Sequence, residues 1–148
     1  MTEVRSKTDV ADLLDRYIAL LDERRFTEWL ELFTDESYYT MILREDYAKN
    51  TNMLAIGEDK IRLAGRIEVG QNVERTFTTH LLSGLTIDEE GAATLRASCN
   101  FAVIRSGGIV CWGRYHISLV RLRNELRIER CTAVLNNNVI SGTIYLPV

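Results

Sequence analysis

The chain has 148 residues, of which 46% are hydrophobic and 26% are charged, and this composition predicts one globular domain over residues 1–148. A net charge of −3 without a basic block argues against nucleic-acid binding. No apolar run approaches the ~20 residues that span a bilayer, and residues 1–6 hold no apolar signal-peptide core. We therefore expect a cytoplasmic protein that does not contact a membrane.

Two amphipathic helices are predicted first. The apolar residues of the first helix recur at a spacing of three and four: Val10, Leu13, Leu14, Tyr17, Ile18 and Leu21. Ser6 or Thr8 is its candidate N-cap. A second helix follows after a few residues, with Thr27 as candidate cap and with the same spacing in Phe26, Trp29, Leu30 and Phe33. The short connection predicts that the two helices pack as neighbours, with Trp29 and Phe33 buried against a sheet.

The rest of the chain predicts mostly strands. Ser37–Leu43 is rich in aromatic and β-branched residues and is expected to be a strand, followed by a polar loop over Arg44–Asn52 and a weaker helix over Glu58–Ile67. From Thr76 onward the apolar pattern has a period of two, which predicts four long strands: Thr76–Ile87, Ala93–Ile104, Ile109–Leu122 and Leu126–Leu135. Short turns between them indicate an antiparallel meander. Helices followed by a sheet predict an α+β fold, a cone whose strongly curved antiparallel sheet holds the N-terminal helices on its concave face.

Metal chemistry is limited by the ligands that the chain offers. A Rieske cluster needs two Cys and two His in close pairs, and a mononuclear iron site needs two His and one carboxylate. The only histidines are His80 and His116, and neither is close in sequence to a cysteine at such a spacing. We therefore expect no metal site in this chain, and we expect Cys99, Cys111 and Cys131 to be buried and unpaired. The acidic pairs Asp22-Glu23, Asp35-Glu36 and Glu89-Glu90 are expected at the solvated surface.

One parity of the last three strands is polar and rich in arginine: Arg96, Ser98, Asn100, Trp112, Arg114, His116, Ser118, Arg130 and Thr132. These rows can lie side by side, with Thr78 and His80 joining them from the preceding strand. Three interpretations remain open. The face is solvated, or it is a subunit interface formed by Arg96, Trp112, Arg114, His116 and Arg130, or it lines a polar pocket inside the cone. In that pocket His80 or His116 would act as general base.

The segment Ala19–Phe33, ALLDERRFTEWLELF, resembles the opening helix pair of the β subunits of aromatic-ring-hydroxylating oxygenases. Further similarities follow in the same order along nearly the whole chain: Asp35 to Tyr39, Glu74-Arg75 through His80-Leu81, Ser98 to Phe101, Gly113 to Tyr115, Ala133 to Leu135, and Leu146-Pro147. The chain is similar in length to the small subunits of terephthalate- and anthranilate-type systems. The resemblance implies the cone fold of nuclear-transport-factor-2-like and SnoaL-like domains.

The resemblance also implies a function without chemistry in this chain. In such oxygenases an α subunit holds the Rieske iron–sulfur cluster and the mononuclear iron, and this subunit hydroxylates aromatic compounds. The β subunit carries no cofactor and supports an α3β3 hexamer as a homotrimer. The alternative is a stand-alone cone-fold enzyme (an isomerase, dehydratase or cyclase) or a small-ligand binding module. The candidate residues for that alternative are His80, His116, Tyr39 and Tyr17.

Overall fold

The computed structural model describes residues 2–50, 54–137 and 146–148, with only the main chain for residues 2–5, 54 and 55. The helices are α1 (Thr2–Asp22), α2 (Phe26–Leu30), α3 (Arg44–Ala48) and α4 (Lys60–Val73). The strands are β1 (Phe33–Leu43), β2 (Leu54–Asp59), β3 (Thr78–Glu90), β4 (Thr94–Arg105), β5 (Gly108–Leu122) and β6 (Glu125–Leu135). No helix within these ranges is long and apolar enough to cross a bilayer.

The six strands form one sheet in the order β2-β1-β6-β5-β4-β3. The predicted antiparallel meander is confirmed, because β3 to β6 each pair antiparallel with the next strand. The sheet is mixed rather than wholly antiparallel: β1 pairs antiparallel with β2 but parallel with β6. After β1 the chain forms β2 at one edge of the sheet and then, through α4, reaches β3 at the opposite edge. The strands β3 to β6 return across the sheet in order, so β6 lies next to β1. The predicted α+β class is confirmed.

The core lies between the helices and one face of the sheet. Trp29 is 0% exposed and Phe33 is 2% exposed, so the predicted burial of both side chains is confirmed. Their rings are 4.7 Å apart, and the Trp29 ring is 5.3 Å from that of Tyr17 on α1. The α1 residues Val10, Leu14 and Tyr17 are each at most 3% exposed, as the helical spacing predicts. We call the sheet face that packs on these residues the inner face and the opposite one the outer face.

Several helix boundaries differ from the predictions. Helix α1 begins at Thr2, so neither Ser6 nor Thr8 is an N-cap. Ser6 instead lies within the helix, is 1% exposed, and donates a hydrogen bond to the Glu90 carboxylate at 2.5 Å. Helix α2 begins after Arg25 and ends at Leu30, so Thr27 is not its cap, and Phe33 is the first residue of β1. A polar residue near the start of a helix does not by itself identify the N-cap, because its side chain can instead form a hydrogen bond with a carboxylate elsewhere in the chain.

The middle of the chain also contains elements that were not predicted. The expected loop after β1 includes the short helix α3, and β2 pairs with β1 as an edge strand. Helix α4 begins at Lys60 and runs to Val73, later than expected at both ends. Asp59 is its N-cap, and its carboxylate accepts a hydrogen bond from the Arg62 main-chain N–H at 2.9 Å.

Candidate functional site

The two histidines lie on opposite faces of the sheet. His80 pairs with Val103, a core residue, and is 4% exposed, whereas His116 pairs with Ser98 and Thr132 on the outer face. The expectation that Thr78 and His80 join the polar row is therefore wrong. Strand β3 is irregular between Ser83 and Thr86, with Gly84 at a φ of 64°. A bulge of this kind reverses which parity faces outward, so Thr86 takes the place expected for Thr78 and His80.

On the inner side, His80 is held by the carboxylate of Asp22, the last residue of α1. His80 Nδ1 lies 2.5 Å from Asp22 Oδ1, and the His80 main-chain N–H donates to Asp22 Oδ2 at 2.9 Å. The Thr78 hydroxyl also donates to Asp22 Oδ1, at 3.0 Å. Burial alone would raise the pKa of Asp22, but the hydrogen bonds from His80 outweigh it and lower that pKa. The carboxylate thus joins the end of α1 to the edge strand β3.

The expectation that the Asp22-Glu23 pair is solvated is wrong for Asp22, whose side chain is 23% exposed and accepts hydrogen bonds from His80 and Thr78, whereas the Glu23 side chain is 60% exposed. Hydrogen bonding to Nδ1 fixes the ring orientation and leaves Nε2 as the free nitrogen of His80. Nε2 is buried and has no hydrogen-bond partner among the described residues.

The structure also brings together the two predicted tyrosines, Tyr17 and Tyr39. Both hydroxyls donate to the main-chain oxygen of Val148, Tyr17 at 2.7 Å and Tyr39 at 2.9 Å. The Val148 N–H donates in turn to the Tyr39 hydroxyl at 2.9 Å. Burial raises the pKa of both phenols well above the usual value, which keeps them protonated donors. His116 lies on the outer face, so the four candidates of the enzyme alternative do not all lie on one side of the sheet.

The polar rows on the outer face lie side by side, as predicted. Arg96 pairs with Ser118, which pairs with Arg130 on β6, and Asn100 pairs with Arg114. The Arg114 guanidinium donates to Asn100 Oδ1 at 2.9 Å and to the Ser98 hydroxyl at 2.8 Å. Both acceptors are uncharged, so they orient the cation without neutralising it.

The other two arginines differ in how their charge is balanced. Arg96 forms an ion pair with Glu89. The Arg130 guanidinium lies 6.0 Å from the centre of the Tyr38 ring and makes no ion pair with any residue that the structure describes. Trp112, on the same face, is 44% exposed. We call Arg96, Trp112, Arg114, His116 and Arg130 the arginine face.

A cleft of about 220 Å³ opens in this face, lined by Tyr47, Asp88, Arg96, His116, Ser118, Arg130 and Thr132 among others. The Tyr47 ring stacks on His116 with 5.7 Å between ring centres and an interplanar angle of 15°. Burial and the nearby Arg114 cation lower the pKa of His116, while Asp88 opposes the shift, so the imidazole is neutral at pH 7. The cleft therefore holds one guanidinium group without an ion pair among the described residues, that of Arg130, beside the Ser118 and Thr132 hydroxyls, while Arg96 is paired with Glu89.

The three cysteines are buried and unpaired, as predicted. Burial raises the pKa of Cys99 and Cys111 to about 11 and that of Cys131 to about 12, so these thiols stay protonated. His80 and His116 cannot bind one metal ion together because the sheet separates them. Within the described ranges, no cluster of three or more His, Cys, Asp or Glu side chains has the geometry of a metal site.

The protein-family model of the SnoaL-like domain matches residues 2–132 of this chain. The chain belongs to the SnoaL-like domain family. Its relatives include the small subunit of anthranilate 1,2-dioxygenase from Burkholderia cepacia, which is 24% identical over 99% of this chain and 96% of that protein. The small oxygenase component of the p-cumate 2,3-dioxygenase system from Pseudomonas putida is 26% identical over 85% of this chain and 78% of that protein.

Solved structures of the same fold agree with these relatives. A protein described as the β subunit of an aromatic-ring-hydroxylating dioxygenase from Novosphingobium aromaticivorans superimposes with a TM-score of 0.90 and 21% identity, covering 100% of both chains. The predicted resemblance is thus confirmed: this SnoaL-like chain is a distant homologue of the small subunits of aromatic-ring-hydroxylating dioxygenases. The expectations of a single domain and of a cytoplasmic location stay predictions.

Proposed function

We propose that this chain is the small, non-catalytic subunit of an aromatic-ring-hydroxylating oxygenase used in the degradation of aromatic compounds. A larger α subunit would carry the Rieske cluster and the mononuclear iron, and this chain would support it as a homotrimer within an α3β3 hexamer. The homology to small subunits along the whole chain supports an α partner. Stoichiometric iron in the chain purified alone, measured by elemental analysis, would contradict this division of labour.

The observation that carries the proposal is the arginine face. Arg114 has only uncharged hydrogen-bond acceptors and Arg130 has only the Tyr38 ring, so two cations on one face lack a carboxylate among the described residues. The neighbouring Trp112 side chain adds exposed aromatic area. Arginine and tryptophan are enriched at the energetically important centres of protein interfaces. We therefore propose that an acidic segment of a partner subunit docks on this face.

Charge reversal at Arg130 tests this proposal without breaking an ion pair inside the chain. We expect Arg130→Glu to weaken assembly by about 2–5 kcal/mol, the usual effect of removing one partner of a buried charge pair. Arg62→Glu, an exposed arginine on α4, is the matched control and should leave assembly unchanged. Light scattering of the chain alone and with its α subunit separates contacts between copies from contacts with α. Unchanged assembly of Arg130→Glu in both experiments would refute the docking surface.

The Asp22–His80 pair supports a second candidate function, general-base catalysis inside the cone. A carboxylate on Nδ1 and a free Nε2 are the arrangement that such a base requires. The same contacts, however, explain the pair as a structural link between α1 and β3. A substitution of His80 in the assembled oxygenase distinguishes the two interpretations, because only a base affects turnover without affecting assembly.

A further inference from the structure

The cleft in the arginine face contains His116 among three arginines. Arg96 on β4 and Arg130 on β6 both pair with Ser118, which lies two positions beyond His116 on β5. Their side chains are therefore diagonal neighbours of the imidazole on the same face of the sheet. Arg114 lies two positions before His116 on the same strand and on the same face. One imidazole thus has guanidinium groups on three sides.

The charges that face this imidazole from the surrounding elements are mostly positive. Strand β3 contributes Asp88, the one carboxylate among the described residues that line the cleft. Strands β4 and β6 contribute Arg96 and Arg130, and of these only Arg96 has an ion pair within the described part of the chain. Helix α3 contributes Tyr47, whose ring stacks on the imidazole. The unpaired guanidinium groups of Arg114 and Arg130 therefore outnumber the one carboxylate.

His116 is able to take up a proton but is held in its neutral form. Its ring nitrogens form no hydrogen bond with any residue that the structure describes, and its ring contact is the stack on Tyr47. Burial and then the Arg114 cation lower the pKa of His116 from its ordinary value of 6.5, and Asp88 opposes them. A second carboxylate in the cleft would raise that pKa, because it would stabilise the imidazolium.

A second copy of this chain is a source of that carboxylate. The whole chain carries a net charge of −3, although two guanidinium groups on this face lack an ion pair among the described residues. The excess of carboxylates therefore lies elsewhere on the surface. In a cyclic trimer each interface joins two different patches of the same chain. A patch that presents guanidinium groups consequently meets a different patch, and charge complementarity favours an acidic one.

We propose that a carboxylate of a second copy of this chain binds in the cleft against Arg130 and His116, and that the imidazole takes up a proton as the two copies associate. This docking rests on the proposed assembly function, to which it adds the partner and a dependence on pH. A group whose pKa is higher in the associated state favours association most strongly below its free-chain value. That contribution is lost as the pH rises through the value in the associated state. Self-association therefore tightens as the pH falls.

Sedimentation equilibrium of the full-length chain at a series of pH values measures this linkage. We expect each contact between copies to be about ten-fold tighter at about pH 5.5 than at about pH 8. His116→Phe is the matched variant, because it keeps a ring against Tyr47 but cannot take up a proton. General effects of pH on surface charge are shared by both chains, so the ratio of their affinities isolates the imidazole. A ratio that does not change with pH would overturn the proposal.

Calorimetry counts the proton in the unaltered chain, so it decides the question even if His116→Phe does not fold. The associated chain is diluted into two buffers of different ionisation enthalpy at about pH 6.5. We expect up to about one proton to be released for each contact that dissociates. Uptake of a proton on dissociation would mean that burial among the arginines, and no carboxylate, determines the state of His116. Either that result or no exchange of protons would overturn the proposal.

The Arg130→Glu variant separates failure of this docking from failure of the proposed assembly. If Arg130→Glu leaves assembly unchanged, the docking surface itself is refuted. If it weakens self-association while the unaltered and His116→Phe chains respond equally to pH, only the proton-coupled docking is refuted. A pH response that appears only after the α subunit is added would assign the carboxylate to α and overturn the second copy as the partner. A chain that stays monomeric at every pH would overturn it as well.

Discussion

Replacing Asp22 by asparagine tests whether one carboxylate joins α1 to the edge strand β3. Asp22 accepts three hydrogen bonds, from His80 Nδ1 at 2.5 Å, from the His80 main-chain N–H at 2.9 Å and from the Thr78 hydroxyl at 3.0 Å. A bond to a charged group is worth about 1.5–3 kcal/mol, and a neutral one about 1 kcal/mol. Asparagine retains one acceptor oxygen, but its NH₂ group replaces the other one and faces a donor that the carboxylate accepts from in the unaltered chain. Because Asp22 is 23% exposed, solvent screening reduces the loss, and we expect about 2–3 kcal/mol at pH 7.

The same substitution should change how stability depends on pH. The pKa of Asp22 is lowered in the folded chain from its ordinary value of 3.8. A group with a lowered pKa contributes stability that is present above the unfolded value and is lost as the pH falls through the folded value. The contribution of the Asp22 charge to the difference in unfolding free energy between the unaltered chain and Asp22→Asn should therefore be fully present well above the unfolded value. It should shrink once the pH falls below 3.8.

Urea unfolding of the isolated chain at a series of pH values provides the measurement. Asp15→Asn is the matched control, because Asp15 is an exposed aspartate on the same helix. Its unfolding free energy should stay within about 0.5 kcal/mol of the unaltered chain at every pH. The reasoning is refuted if Asp22→Asn is as stable as the unaltered chain at pH 7. It is also refuted if the difference between them does not depend on pH.

Four further predictions concern the core, two glycines and the histidines. Trp29→Ala should cost ~3–5 kcal/mol in reversible denaturation, and a loss below ~1 kcal/mol would contradict the packing described here. Gly113→Ala should cost about 3 kcal/mol or more, because the added Cβ would lie 1.8 Å from the Val134 main-chain oxygen. Gly65→Ala in α4 meets nothing within 4 Å and should stabilise the chain by up to about 1 kcal/mol. His80→Ala and His116→Ala should weaken stability or assembly but leave turnover per assembled hexamer unchanged. A ~100-fold fall in turnover with normal assembly would instead support general acid–base catalysis.

The arginine face could be predicted from the sequence because strand periodicity reports which side chains share a face. Arg96, Arg114, His116 and Arg130 alternate with apolar residues in strands joined by short turns, so their neighbours follow from the meander. The same reasoning failed for His80. One irregularity near Gly84 reverses the parity of β3. An isolated glycine inside a strand pattern is the local signal of such a bulge, and the assignment of faces by strict alternation ignored it.

The sequence by itself thus determined the α+β class, the amphipathic helix α1, the four C-terminal strands and the resemblance to oxygenase small subunits. Only the tertiary structure decided that β1 lies parallel to β6, that Asp22 holds His80 across 58 positions, and that Val148 meets the Tyr17 and Tyr39 hydroxyls. The physical reason is the distance along the sequence over which each structural signal acts. Periodicity and turn residues act over a few positions and record burial, whereas a hydrogen bond between distant residues depends on the path of the whole chain. Asp22 and Val148 carry no local pattern that identifies their partners, because the tertiary structure sets where the end of α1 and residue Val148 meet the sheet.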